Sequence, residues 1–209
     1  MKLEDIYKHV IDGNAGAVEA GVKAALASGV DANIILQDAL IKAMAEVGQR
    51  FENGDFFVPE MLIAAREMKA GLEILRPQLA AANVKALGKV VIGTVQGDLH
   101  DIGKNLVSMM LEGAGFEVID LGADVSPVKF AQAIREHKPQ FVGMSALLTT
   151  TMPRMKDTIE AIEDMGLRRA VKVMVGGAPV TEKYAQQIGA DIYAPDASSA
   201  ARLARQLVA

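Results

Sequence analysis

The chain has 209 residues, a formal net charge of −4 at pH 7 and no cysteine. Its length allows one large domain or two small ones, and the lack of cysteine excludes disulfide bonds and thiolate metal sites. There is no basic cluster of the kind that binds nucleic acid, no apolar run long enough to span a membrane and no secretory signal at the N-terminus. We therefore expect a cytoplasmic protein with neither a nucleic acid nor a membrane as partner.

Residues 1–88 have helical spacing and no strand pattern. Helices are predicted near residues 4–12 and 14–28, and a third begins at Asp31 or Asn33, either of which can cap it. Pro59 suits the first turn of a fourth helix. The alanine-rich residues 77–88 predict a last helical piece followed by a linker. This half is predicted to be a domain of its own, a small helical bundle.

Residues 89–209 alternate between short apolar runs and helical spacing, which predicts a second domain. Five such units with short turns predict a parallel sheet covered by helices on both faces. Ser126 and Thr181 are predicted helix starts, and Gly115, Gly166 and Gly189 are predicted helix ends. The predicted strands are 89–95, 116–120, 140–145, 171–175 and 190–194. The predicted helices are 103–113, 126–136, 151–165, 181–188 and 197–207.

The first of these strands leads into a loop that carries one histidine between carboxylates. The loop reads Gly97-Asp98-Leu99-His100-Asp101-Ile102-Gly103. Open α/β sheets bind ligands at the carboxyl ends of their strands, so His100 is a candidate metal ligand or acid/base. The other histidines, His9 and His137, are predicted to be solvated, so a zinc site built from several histidines and cysteines is not expected.

The pattern Asp98-x-His100-x-x-Gly103 resembles the signature of cobalamin-binding domains. Two further parts of that signature follow in order, Ser145-Ala146-Leu147 and Gly176-Gly177, each after its own apolar strand. Over essentially its whole length the chain resembles the corrinoid proteins of methylamine and methanol methyltransferase systems and the cobalamin module of methionine synthase. The resemblance implies an α/β fold in which an N-terminal helical cap domain precedes a flavodoxin-like, doubly wound, five-stranded parallel sheet.

The resemblance also implies the roles of three residues in methyl transfer. His100 would be the lower ligand of cobalt, in place of the cofactor's own benzimidazole. Asp98 would accept a hydrogen bond from that imidazole, and Thr151 would stand where methionine synthase has the serine of the relay. A proton shared between Asp98 and His100 would couple proton uptake to the oxidation state of cobalt.

The remaining predicted contacts to cobalamin, in its methylated or hydroxo form, fall into three groups. The loop around the ligand would contribute its other residues, the ends of two later strands would hold the nucleotide tail, and a phenylalanine in the helical half would cover the upper face of the cofactor. Residues 77–88 would be the hinge that lets this cap move. The predicted residues are Gly97, Leu99, Asp101, Ile102 and Gly103; Ser145, Leu147, Thr149, Gly176 and Gly177; and Phe57.

The function implied by the resemblance is that of a methyl carrier in one-carbon metabolism. The protein would accept a methyl group on cobalt(I) from a substrate-specific methyltransferase and pass it from methyl-cobalt(III) to a second methyltransferase of the tetrahydrofolate or coenzyme M type. A reductive activation protein would be a third partner. The chain itself would be a non-catalytic subunit, since 209 residues leave too little chain for a substrate-binding barrel.

Three other functions are compatible with parts of the pattern. A cobalamin-binding sensor would share the motifs but would usually carry a DNA-binding or signalling segment, and no segment of this chain resembles one. A flavodoxin-like domain that binds a nucleotide or phosphate would need a loop rich in glycine, serine and threonine, whereas this loop has two carboxylates. A mutase subunit shares the motifs but normally pairs with a substrate barrel.

Overall fold

The computed structural model describes residues 2–208, which divide into two compact units. The first unit comprises residues 2–86 together with 113–115, and the second comprises residues 87–112 and 116–208. Each unit has its own buried apolar residues. Within the described residues no helix is long and apolar enough to cross a membrane.

The first unit consists of helices, as the sequence predicts. The side chain of Asp31, rather than that of Asn33, caps the third helix, because its Oδ1 accepts hydrogen bonds from the N–H groups of Asn33 and Ile34 at 2.8 and 3.2 Å. A π-helical segment, Leu36–Ile41, joins this helix to the next. The α-helices are α1 (Leu3–Ile11), α2 (Ala15–Ala27), α3 (Ala32–Ile35), α4 (Lys42–Glu52) and α5 (Val58–Ala81).

Two features of this unit differ from simple helical spacing. The π segment was not anticipated, because apolar spacing does not distinguish an i→i+5 turn from an α-helical turn. Pro77 lies inside α5 and does not end it, so the helix continues to Ala81. A proline inside a helix removes one backbone hydrogen bond, but buried contacts on both sides, at Leu75 and Leu79, hold the helix together.

The second unit is a five-stranded sheet in the order β2-β1-β3-β4-β5, and every neighbouring pair is parallel. This is the strand order of flavodoxin-like proteins, so the predicted fold class is confirmed. The strands are β1 (Lys89–Thr94), β2 (Glu117–Asp120), β3 (Phe141–Ser145), β4 (Lys172–Gly176) and β5 (Ile192–Tyr193). The helices are α6 (Ile102–Gly113), α7 (Pro127–His137), α8 (Pro153–Asp164), α9 (Glu182–Gln187) and α10 (Ala197–Gln206).

The strands β1, β3 and β4 are short, mostly apolar runs because they are buried between helices, whereas the edge strand β2 is only partly buried. The side chains of Ser126 and Thr181 cap α7 and α9, as predicted. The edge strand β5 is only two residues long, shorter than the predicted 190–194. An edge strand has a neighbour on one side only, so the apolar pattern of residues 190–194 extends further than the ladder that forms.

Candidate functional site

The candidate site lies at the carboxyl edge of the sheet, in the loop that follows β1. Residues 96–101, here called the His100 loop, connect β1 to α6. The chain passes from β1 to its neighbour β2 on one side and then returns to β3 on the other side. Crevices at such a reversal of strand order are where open α/β sheets bind ligands.

The ring of His100 is oriented by the carboxylate of Asp98. Its Nδ1 lies 2.8 Å from Asp98 Oδ1, and the backbone N–H of His100 donates to the same oxygen at 3.0 Å. The side chain of Asp98 is fully buried, whereas that of His100 is half exposed. A carboxylate accepts the Nδ1 proton, which leaves the lone pair of Nε2 on the half-exposed ring as the one that can bind a metal.

The second oxygen of Asp98 is held by the loop that follows β3. Thr151 donates its hydroxyl hydrogen to Oδ2 at 2.7 Å, and the N–H groups of Leu147 and Leu148 donate at 2.8 and 3.3 Å. The hydroxyl of Thr151 also lies 3.0 Å from the carbonyl oxygen of Leu148. The structure thus brings together Asp98, His100 and Thr151, which the sequence resemblance singled out.

This set of donors keeps Asp98 in its ionised form. Burial alone would raise the pKa of the Asp98 carboxyl, because a charge is costly away from water. The hydrogen bonds from Thr151, from the N–H groups of His100 and Leu147 and from the His100 ring outweigh burial and hold that pKa well below its usual range. Asp98 is therefore a fixed negative charge beside the imidazole at any physiological pH.

One further contact orients the backbone of His100. Thr94, the last residue of β1, is fully buried and its hydroxyl donates to the carbonyl oxygen of His100 at 3.1 Å. Sequence reasoning missed Thr94 because its side chain reads as part of an apolar strand. A threonine at the last position of a strand, next to a functional loop, was the available signal.

Apolar side chains surround the histidine although they face solvent. Leu99 and Ile102 are 75% and 82% exposed, and Leu147 and Leu148 are also exposed. Exposed apolar side chains grouped around a functional residue indicate a binding surface for a bulky, partly apolar ligand. Leu147 reaches Asp98 through its backbone N–H, and nothing in its side-chain environment assigns it to a nucleotide tail.

Gly176 and Gly177 have a reason within the fold itself. A Cβ on Gly177 would lie 2.0 Å from the carbonyl oxygen of Ala146, and Gly177 has φ = +122°. A Cβ on Gly176 would lie 2.8 Å from the carbonyl oxygen of Ala194. Only glycine allows these backbones to approach so closely. Their predicted contact with a nucleotide tail stays a prediction.

The other predicted cofactor residues lie at or near the same edge of the sheet. Ser145 ends β3 and is partly buried, whereas Thr149 is exposed in the following loop. Asp101 accepts a hydrogen bond from the side chain of Asn105 at 3.2 Å, and a Cβ on Gly103 would meet open space. These positions leave room for a ligand but do not assign a contact to any of the four residues.

Phe57 belongs to the first unit and lies outside this cluster. It precedes α5, where its N–H donates to the Glu60 carboxylate at 2.9 Å, and its side chain is 66% exposed. A large aromatic side chain in this position is available to a ligand or a partner. The predicted contact between Phe57 and the upper face of a cofactor stays a prediction.

The donor set fits a metal that arrives with most of its ligands already in place. Across residues 2–208, no group of three or more His, Asp or Glu side chains could hold a metal ion. His100 therefore offers a metal one nitrogen and no companion ligand. A corrinoid fits this arrangement, because it would bring most of the metal's ligands with it and need only one nitrogen from His100, and because Leu99 and Ile102 provide exposed apolar surface nearby.

Comparison with known proteins also indicates a protein that binds a corrinoid. Residues 88–203 match the model of the B12 binding domain, and residues 2–76 match a second B12 binding domain model. The chain is 43% identical over 99% of its length to dimethylamine corrinoid protein 1 of Methanosarcina acetivorans, of which it covers 97%. It is 47% identical over 84% of its length to trimethylamine corrinoid protein 2 of Methanosarcina mazei, of which it covers 82%.

Among solved structures, the chain is similar to a chain of the methanol:cobalamin methyltransferase complex from Methanosarcina barkeri. The TM-score is 0.85 at 30% sequence identity, over 99% of this chain and 79% of that chain. The fold and the buried Asp98 beside a half-exposed His100 define a doubly wound α/β protein with one oriented imidazole at the carboxyl edge of its sheet. The chain belongs to the B12-binding family of corrinoid proteins.

Proposed function

We propose that this protein carries methyl groups on a bound corrinoid, between a methyltransferase that takes the group from a substrate and a second one that passes it on. The observation that carries the proposal is the hydrogen bond of 2.8 Å from His100 Nδ1 to the buried Asp98, which leaves Nε2 for the metal. When bound, a corrinoid supplies a cobalt centre that can accept and release a methyl group.

The residues of the site would control how firmly the imidazole binds. Asp98 fixes the tautomer and orientation of His100 and makes the lone pair of Nε2 a stronger ligand for a metal. Thr151 and the N–H groups of Leu147 and Leu148 hold the carboxylate from its other side, so the ring cannot swing without disturbing the loop after β3. Asp98 and Thr151 together would hold His100 in one orientation towards a bound metal.

The same geometry determines where a proton would reside when His100 leaves the metal. Asp98 stays ionised because its pKa lies well below the usual range. The Nδ1 atom of His100 faces Asp98 Oδ1, so we propose that Nε2 is the nitrogen at which a proton would be exchanged, with Asp98 as the counter-charge.

The names of the relatives support methylated amines as the source of the methyl group. Relatives named for dimethylamine and for trimethylamine have similar sequence identities to this chain, 43% and 47%. We propose a methylamine-specific methyltransferase as the first partner. A tetrahydrofolate- or coenzyme M-type methyltransferase and a reductive activation protein are the further proposed partners.

Reconstitution with hydroxocobalamin tests the ligand assignment. The purified apoprotein should form a coloured 1:1 complex, and His100→Ala should change its visible spectrum because the axial nitrogen is lost. His137→Ala is the matched control, since it removes another histidine of the same unit, at the end of α7. A His100→Ala complex with the wild-type spectrum would rule out His100 as the ligand.

Methyl transfer tests the carrier role separately from binding. The loaded protein, mixed with a methylamine methyltransferase and its amine, should acquire a methyl group that can be detected spectroscopically. Transfer from methanol but not from any methylamine would contradict the proposed substrate class. Binding without transfer to or from any methyltransferase would favour a sensor.

A further inference from the structure

A second loop lies against the His100 loop and has no role in the site described so far. Residues 121–125, here called the β2 turn, follow β2 and continue into α7. This turn contains Asp124, which is exposed and has φ = +54°. Left-handed backbone is uncommon for residues other than glycine, although aspartate and asparagine tolerate it.

Asp124 makes two hydrogen bonds to the His100 loop. Its Oδ1 accepts from the backbone N–H of Gly97 at 2.7 Å. Its own backbone N–H donates to the carbonyl oxygen of Asp98 at 3.0 Å. The two bonds lie on either side of the peptide that joins Gly97 to Asp98, so they fix the backbone from which the Asp98 side chain projects.

The rest of the His100 loop is held from other directions. Asp98 is bound through its side chain to the loop after β3, and the carbonyl oxygen of His100 accepts from Thr94. Gly97 is exposed, has φ = +81° and lies in a turn closed by the hydrogen bond from the Asp98 N–H to the carbonyl oxygen of Val95 at 3.1 Å. Asp124 adds a contact from a different segment, because it accepts the hydrogen bond of the Gly97 N–H.

We infer that Asp124 is a positioning residue for the cobalt ligand, because its carboxylate clamps Gly97 and thereby sets the position of Asp98 and His100. This inference rests on the proposed function. The hydrogen bond is the important feature, since an exposed charge is largely screened by water and salt. Asparagine at position 124 should therefore substitute for aspartate, whereas glycine should keep the left-handed turn but lose the clamp.

The first test uses the full-length apoprotein and needs no cofactor. In Asp124→Gly the amide of Gly97 should exchange with solvent faster by about fivefold, the equivalent of one lost hydrogen bond of about 1 kcal/mol. The ¹⁵N signals of the His100 ring should also change, because its bond to Asp98 becomes less uniform. With three histidines in the chain, these ring signals can be assigned individually.

The second test measures hydroxocobalamin binding. Asp124→Gly should bind it about fivefold more weakly, the same loss of one hydrogen bond, with a smaller fraction showing the spectrum of histidine ligation. Asp124→Asn should behave like the wild type in both tests. Lys138→Gly is the control, because Lys138 also has positive φ, +48°, but lies at the C-terminal end of α7.

The outcomes separate this inference from the proposed function. If the wild type binds no corrinoid, the proposed function fails, and the apoprotein test still decides whether Asp124 positions the loop. If the wild type binds and Asp124→Gly matches it in exchange, ring signals and spectrum, Asp124 has no positioning role. If Asp124→Asn is as impaired as Asp124→Gly, the hydrogen-bond explanation is wrong.

Discussion

At the scale of single residues, the site depends on one buried charge. Asp98 accepts five hydrogen bonds, two from His100 and three from residues of the loop after β3. Hydrogen bonds to an ionised group contribute more to stability than those between neutral groups. Asp98 therefore stabilises the apoprotein as well as orienting the His100 ring.

Asp98→Asn should lower the free energy of unfolding by about 2 kcal/mol at pH 7. The side-chain NH₂ group of asparagine replaces one carboxylate oxygen and cannot accept a hydrogen bond, so at least one buried donor loses its acceptor. Thr151→Val should cost about 1 kcal/mol, since it removes one donor and no charge. Denaturant unfolding of the apoproteins measures both. Equal stability of Asp98→Asn and the wild type at pH 7 would contradict the role given to this charge.

The same substitution predicts a pH dependence. The pKa of Asp98 is lowered in the folded protein, so its contribution is complete above the pKa of an unfolded aspartate, about 3.9. The contribution is lost as the pH falls from there towards the lower folded value. The stability gap between the wild type and Asp98→Asn should thus narrow as the pH falls below about 4.

At the scale of elements, α6 and β2 are joined by an ion pair between a buried lysine and a partly exposed aspartate. Lys104 is only 1% exposed, and its Nζ donates to Asp120 Oδ2 and, at 2.6 Å, to Asn105 Oδ1. Asp120 ends β2, is 39% exposed and also accepts from the N–H of Gly122 at 2.9 Å. The two partners of this pair therefore differ in their access to water.

This difference predicts an asymmetry between substitutions. Asp120→Ala should destabilise the protein by about 3 kcal/mol, since it leaves a buried cation without its counter-charge. Lys104→Met should cost less, because Asp120 can be hydrated and the methionine fills the space. Thermal unfolding measures the stability of both variants. Lys89→Met is the control, because it removes the exposed ion pair with Glu117 and should lower the stability by less than about 1 kcal/mol. A larger loss in Lys104→Met would contradict this explanation.

At the scale of the whole molecule, the two units would have different tasks. The second unit carries the His100 loop, and the first presents an exposed Phe57 at the start of α5. The predicted division at residue 88 and the predicted cap stay proposals. A cap over the reactive face would limit the escape of a methyl radical after photolysis.

Phe57→Ala should therefore accelerate photolysis of the protein loaded with methylcobalamin, because the aromatic ring that we propose as the cap is lost. Binding of the cofactor should be nearly unchanged, since the His100 loop is intact. Leu207→Ala, which removes an exposed apolar side chain of the second unit, is the control. An unchanged photolysis rate in Phe57→Ala would indicate that Phe57 does not act as a cap.

Much of the architecture is determined by local sequence. Apolar spacing predicts the helices of the first unit and the five strands of the second, because burial of one face or both has a recognisable period. Capping residues such as Ser126 and Thr181 mark helix starts for the same local reason. The strand order does not follow from periodicity, and its prediction rested on the resemblance carried by three motifs in order, Asp98–Gly103, Ser145–Leu147 and Gly176–Gly177.

The sequence by itself determined the class of fold and, through its motifs, predicted His100 as the candidate ligand residue. Only the tertiary structure decided how His100 is held, because the hydrogen-bond partners of Asp98 and Gly97 come from distant segments. Leu148 and Asp124 reach the His100 loop only when β3 and β2 pair on either side of β1. Hydrogen bonds across such separations depend on strand order and register, which no local pattern encodes.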